Sequence, residues 1–154
     1  MIQSTPKFLF TEAADHPGWM TWELSDPTRF NSLFGRFLLR VEDGVARVRM
    51  TPVHVHSNLS GRMHGGALMG FMDIALFAAS RGFGLIEAGT AVTVDFQSQF
   101  LGAATIGEPI EARVELLRAT QRLLFLRGLV VQGDGADAEK VAAFSATVRR
   151  PTAK

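Results

Sequence analysis

Hydrophobic and polar positions follow three different patterns along the chain. Up to residue 33 no period is sustained, and Pro6, Pro17-Gly18 and Asp26-Pro27 break the segment into what should be short helical or irregular pieces. Trp19 and Trp22, three apart, would share one helical face and anchor this segment to the main body. From Leu33 the period becomes two. FGRFLLRV leads to a turn at Glu42-Asp43-Gly44, and in VARVRMTPVHV the residues Val45, Arg47 and Arg49 alternate with Ala46, Val48 and Met50, which predicts a hairpin. HGGALMGFMDIALFAASRGFG then predicts a helix that begins at Gly65-Gly66 and ends at Gly82 and Gly84. Residues 67–79 are apolar on every side except at Asp73, and such a helix must be surrounded by protein. Three or four further strands are expected, at about 91–101, 108–118, 121–132 and 139–149, with breaks at Gly107, Gly133 and Gly135. This order is α+β with one antiparallel sheet. A curved sheet wrapped around one long buried helix satisfies both halves of the pattern, with residues 1–32 as an N-terminal extension and 33–154 as the single domain.

Composition narrows the function classes. With 154 residues, 47% hydrophobic and 20% charged, the chain can bury its own core. Its net charge of +1 offers no global attraction to nucleic acid or to an anionic membrane, so any anion binding must be local. There is no cysteine, which excludes disulfides, thiolate metal sites and a cysteine nucleophile. Pro6, Lys7, Glu12 and Asp15 interrupt the N-terminus before a signal-peptide core could form, so a cytoplasmic location is expected. The apolar run 67–79 falls short of the roughly 20 residues that span a bilayer, and no membrane association is expected.

Asp73 is the sharpest anomaly, because a carboxylate buried in an apolar helix without partners would cost several kcal/mol. Nine positions earlier stands His64, followed by Gly65 and Gly66, at the helix end where free N–H groups and the positive end of the dipole collect. Such an end binds an anion or an oxyanion. At 1.5 Å per residue the His64 and Asp73 positions lie roughly 13 Å apart along the axis, too far to share one carbonyl within a single chain. Two helices packed antiparallel about a two-fold axis would bring the start of one to the middle of the other, giving two identical composite sites.

The segment NLSGRMHGGALMGFMDIA resembles the signature of hotdog-fold thioesterases of the phenylacetate-degradation type. Asn58, Gly61, His64, Gly65, Gly66 and Asp73 all match its spacing, and TIGEP near 105–109 is similar to the family's strand-opening turn. The resemblance covers about residues 33–150. It implies a hotdog fold, an oligomer of two or four chains, and hydrolysis of an acyl-CoA thioester without cofactor or metal. It further implies that Asp73 is the general base or nucleophile and that Gly65 presents its N–H to the thioester oxygen. Asn58 and His64 would position the carbonyl or the water, and Gly66 would line the substrate. A Ser or Thr on the following strand assists the carboxylate in some relatives; Thr93 is the best match, with Thr90 close by. Where the family's strand often carries a basic residue and a proline, this chain reads Phe100-Leu101-Gly102-Ala103-Ala104.

The chemistry fits these residue types, since a thioester already has a good leaving group and needs chiefly a positioned water or carboxylate with donors aimed at the oxyanion. Phe71, Met72, Phe77 and Leu68 would flank the acyl group. Arg118 and Arg122, in a strand connection with Thr120 and Gln121, are either a solvated turn or the contact to CoA phosphates that the resemblance implies. His54 and His56, two apart on an expected strand, would share one face, but no acidic residue stands near enough in sequence to complete a metal site. Arg149-Arg150 reads as a solvated terminal pair. The rival readings are a non-catalytic acyl-CoA or acyl-carrier binding module, for which a mid-helix carboxylate has no use, and a hotdog dehydratase, which would bring an Asp and a His closer together.

Overall fold

The computed structural model describes residues 8–87 and 91–151. Its strands are β1 (Phe8–Leu9), β2 (Met20–Leu24), β3 (Phe37–Glu42), β4 (Val45–Met50), β5 (Val92–Phe100), β6 (Ile110–Ala119), β7 (Leu123–Gln132) and β8 (Glu139–Arg149), with one long helix α1 (Gly65–Gly82) between β4 and β5. All eight strands join one antiparallel sheet in the order β1-β2-β3-β4-β6-β7-β8-β5. The expected hotdog architecture, an antiparallel sheet packed around one long helix, is the architecture observed. No helix among the described residues is long and apolar enough to cross a membrane.

Local chemistry accounts for the frame. β3 and β4 are joined through Asp43 and Gly44, both at positive φ (51° and 76°), the twist that a two-residue hairpin turn requires. One face of the sheet then presents Leu39, Ala46, Val48, Ala112, Val114, Leu126 and Val130 to α1, which buries Phe71, Met72, Ala75 and Leu76 against them. Each large side chain removed from water there contributes about 2 kcal/mol. Gly70 is small for a steric reason: a Cβ on it would stand 2.7 Å from the Phe34 ring, so its size lets the 3-10 turn Phe30–Phe34 pack onto the helix.

The opposite face of the sheet is charged. Buried Glu111 receives Arg47 and Arg113 at 3.0 and 2.9 Å and is also bonded to Arg49. Burial alone would raise the Glu111 carboxyl, but the three guanidinium groups outweigh it and hold the group below its ordinary range.

Three local expectations are corrected. Among the short helical or irregular pieces expected before residue 33, Phe8–Leu9 and Met20–Leu24 are instead strands that extend the sheet, while a 3-10 turn begins at Phe30, and Trp19 and Trp22 lie on opposite sides of the sheet. Trp22 is in the core, stacked on Phe8 with ring centroids 4.5 Å apart, whereas Trp19 lies on the charged face under Arg49, 4.4 Å from the ring centroid. An unpaired β3 edge and a cationic surface for Trp19 outweigh a local spacing that also suits a helix. His54 and His56 lie in a 3-10 turn rather than a strand, so they do not share a face. His56 is buried: its Nδ1 accepts the Val53 N–H at 2.9 Å, which leaves Nε2 to donate to the Leu33 carbonyl at 2.7 Å. Arg150 is a buttress rather than a solvated residue, donating from Nη1 to the Thr120 carbonyl at 3.0 Å, while its N–H bonds the Arg122 carbonyl at 2.7 Å.

Candidate active site

The site begins with the loop that feeds α1. The Asn58 Oδ1 accepts the Ser60 and Arg62 N–H groups at 2.9 and 3.1 Å, closing a tight turn and leaving the amide NH₂ as the donor end of the side chain. Behind the turn, Arg62 donates to Thr105 Oγ1 at 2.7 Å, and Met63 N–H bonds the Ala104 carbonyl at 3.0 Å. Buried Gln132 completes this support, accepting the Thr105 N–H at 2.7 Å and donating to the Thr105 and Glu108 carbonyls, each at 3.0 Å. Gln132 and Arg62 escaped the sequence reading, although a glutamine closing an apolar strand is a signal that could have found the first.

His64 is the N-cap of α1, at φ −64° and ψ 137°. Its Nδ1 accepts the Gly66 N–H at 2.8 Å, so the ring proton resides on Nε2. The Gly66 N–H, expected to serve the substrate, is thereby engaged in the cap. Gly65, the first helical residue, has no hydrogen-bond partner for its N–H among the described residues. Phe100 flanks it: a Cβ built on Gly65 would meet the ring at 3.6 Å, an ordinary contact.

Asp73 sits mid-helix and half-buried, and its Oδ1 accepts a 2.7 Å hydrogen bond from Thr93 Oγ1 on β5. A bulge sets this contact up. β5 pairs Thr93 with Val148 but Asp95 with Thr147, so Val94 is the extra residue and both Thr93 and Phe96 face the helix side. Thr90, the other candidate, lies outside the described residues. The chain thus gathers its candidate residues into two groups, Asp73 with Thr93, and Asn58 with His64 and Gly65, separated by about 13 Å along one helix. Between them runs a stripe not covered by the sheet, from exposed Gly66 and Met69 to half-buried Gly70 and Asp73, beside exposed Val92, Val94 and Phe100 of the edge strand.

Arg118 and Arg122 are exposed and take part in no ion pair among the described residues. Both stand at the end of the sheet where Arg149 pairs with Val92, next to Thr93. Their turn is held by Thr120 Oγ1, which accepts the Leu123 N–H at 2.9 Å.

A family model described as the thioesterase superfamily matches residues 60–139, just over half of the chain. The chain belongs to the thioesterase superfamily. That match contains His64, Gly65, Asp73, Thr93 and Arg118 and begins just after Asn58. Among solved structures, this superfamily member is similar to the phenylacetic acid degradation protein PaaI from Thermus thermophilus, solved in a mutant form: 28% identity, 81% of this chain and 99% of that one covered, TM-score 0.63. It is also similar to the conserved protein PA5202 from Pseudomonas aeruginosa, with 29% identity, 79% and 93% coverage and a TM-score of 0.62. A hypothetical thioesterase from Streptococcus pneumoniae, solved with coenzyme A, shares the fold at 16% identity, 78% and 94% coverage and a TM-score of 0.64. A search of curated proteins finds no match.

Proposed function

We propose that this chain hydrolyses an acyl-CoA thioester to a free acid and CoA, with Asp73 as the reacting carboxylate. The observation that carries the reading is the Thr93–Asp73 hydrogen bond, which orients one carboxylate oxygen and leaves the other to act, on a helix whose first N–H is unengaged. Superfamily membership supports a thioester as the bond cleaved, and the pneumococcal structure with coenzyme A supports the CoA half of the substrate at the level of the fold. In the proposed reaction Asp73 either takes a proton from a water that attacks the carbonyl carbon or attacks it directly. The carbonyl oxygen then becomes an oxyanion facing the Gly65 N–H, and its collapse expels CoA as the thiolate; on the direct route this leaves an acyl–Asp73 anhydride, which a water then cleaves to the free acid and the regenerated carboxylate. Asn58, through its NH₂ group, and His64, through Nε2–H, have donors to hold the carbonyl or the water.

Because one helix separates the two groups, the reading requires two chains with α1 helices antiparallel, Asp73 of each meeting the α1 start of the other. The α1 positions left open by the sheet at Gly66, Met69 and Asp73, with the apolar edge of β5, are the surface available for this. A hydrolysis screen over short, medium, long and aromatic acyl-CoAs, read by release of free thiol, tests the activity; no release from any class would overturn it. For the assembly, Asp73→Ala and Asn58→Ala chains, each inactive alone, should recover up to about a quarter of parental activity when refolded together. Half of the dimers are then mixed, and each mixed dimer has one intact site of two. A monomer by sedimentation that keeps full activity would sink the composite site.

Arg118 and Arg122 are proposed to meet the phosphates of CoA. Arg118→Ala or Arg122→Ala should raise KM severalfold with little change in kcat, the mark of lost uniform binding. An unchanged KM in both would return these residues to a solvated turn.

A further inference from the structure

His56 takes no part in the proposed chemistry, yet it joins the segments that frame the start of α1. It is buried, and its ring is held at both nitrogens, by the Val53 N–H at Nδ1 and the Leu33 carbonyl at Nε2. The ring also stacks on Phe34, with centroids 5.3 Å apart and planes 12° from parallel. Phe34 in turn packs on α1 at Gly70, one helical turn before Asp73. On the main-chain side, the His56 carbonyl accepts the His64 N–H at 2.7 Å, and His64 is the N-cap that precedes Gly65. One residue therefore ties the 3-10 turn Phe30–Phe34 to the position where α1 begins.

These bonds admit one form of the ring. A backbone N–H needs an acceptor and a carbonyl needs a donor, so the imidazole must be neutral with its proton on Nε2. A second proton, on Nδ1, would face the Val53 N–H and break that contact. The surrounding charges give an imidazolium no partner. His16, Arg36 and Arg49 line the same depression as His56, while the nearby carboxylates are engaged elsewhere, Asp15 by Arg36 and His16 and Glu111 by its arginines. Glu108, next to Pro109 of that depression, and His54, on the same turn as His56, are both exposed. Phe30–Phe34 and the α1 residue packed on it, Gly70, carry no charge.

Building on the hydrolase reading above, we propose that His56 is a positioning residue: its neutral ring, anchored on Leu33, fixes the carbonyl that seats His64 and thereby sets the direction of the Gly65 N–H. The tie holds while the ring is neutral and is lost as pH falls through its titration.

Two variants separate the bonds. His56→Asn places an amide oxygen near the Nδ1 position, so the Val53 N–H keeps an acceptor while the bond to Leu33 is lost. His56→Gln reaches the Nε2 position and can still donate to Leu33. In His56→Asn kcat should fall about tenfold to a hundredfold with a smaller change in KM, since a displacement of roughly 1 Å at a reacting group costs on the order of 10²-fold. His56→Gln should restore most of that rate and lose the part of the acid limb that belongs to His56. Parental kcat in a folded His56→Asn would overturn the proposal. A pH titration followed by nitrogen-resolved NMR reads the tie without turnover and, in the parent, without any variant. The His64 and Gly65 backbone amides should shift with the midpoint of the His56 ring as well as with that of the His64 ring, and His56→Gln should lose the His56 step. Amides that follow the His64 ring alone, or a His56 ring that stays neutral until the protein unfolds, would overturn it too. Coupled amide shifts in a chain that hydrolyses no acyl-CoA would sink the hydrolase and keep the tie; turnover with uncoupled amides would do the reverse.

Discussion

An Asp73→Asn chain is expected to fold as the parent does and to lose at least about 10²-fold in kcat, since general-base assistance alone contributes 10² to 10⁴. The substitution is close to isosteric, and an asparagine Oδ1 can still accept the 2.7 Å hydrogen bond from Thr93, so the geometry around position 73 should persist. What is lost is the ability to take a proton or attack a carbonyl, which removes the base and nucleophile roles together. Substrate binding should remain, because Asn58, His64 and Gly65 are untouched. Stability should stay equal or rise, as a carboxylate half-buried in an otherwise apolar helix serves function at some cost to the fold. The checks are thiol release, the melting temperature and acyl-CoA binding on the same preparation. Parental turnover in a folded variant would make Asp73 structural and favour the non-catalytic binding module.

Gly65→Pro should be nearly as damaging, and for a different reason. Proline removes one backbone N–H and is well tolerated at the first position of a helix, where no intrahelical bond is lost. The preceding residue must then avoid helical angles, and His64 already does, at φ −64° and ψ 137°. A Cβ at position 65 meets Phe100 only at ordinary contact distance, 3.6 Å. The helix should therefore form as before while the proposed oxyanion donor is gone, and kcat should drop about 10² to 10³-fold with a smaller change in KM. Gly65→Ala is the control: it adds the same Cβ and keeps the N–H, so it should stay near the parental rate. Circular dichroism and thermal melts of both variants confirm the fold. If Gly65→Pro turns over like Gly65→Ala, the Gly65 N–H is not the donor, and the amide of Asn58 becomes the group to test.

These two residues were open to sequence reading because the forces that place them are local. Asp73 stands out through the period of one helix, and Gly65 through the capping sequence that starts it. The β3–β4 hairpin followed from alternation and an Asp-Gly turn, and the strands near 91–101, 108–118, 121–132 and 139–149 appear as Val92–Phe100, Ile110–Ala119, Leu123–Gln132 and Glu139–Arg149. Where a side chain's direction depends on a distant partner, local pattern misleads. Trp19 and Trp22 suit a helix by spacing, yet the strand that carries Trp22 pairs with β3, and the two rings lie on opposite faces of the sheet. Arg150 looks like a solvated terminal charge until the β6–β7 turn is folded against it.

Thr93 shows the division most clearly. Alternation counted back from Phe96 puts Val94 and Val92 toward the helix and Thr93 away from it, so only the family resemblance pointed to the threonine. The bulge at Val94 reverses that order and brings Thr93 onto Asp73. By itself the sequence determined the helix, its capped start, its mid-helix carboxylate and most of the strands, because helix and hairpin preferences act between residues a few positions apart. Only the tertiary structure decided which residue meets Asp73, that Trp22 enters the core while Trp19 lies on the charged face, and that Arg150 buttresses the β6–β7 turn. Those outcomes depend on register, burial and hydrogen bonds between segments far apart in the chain, which exist only once the sheet has closed around the helix.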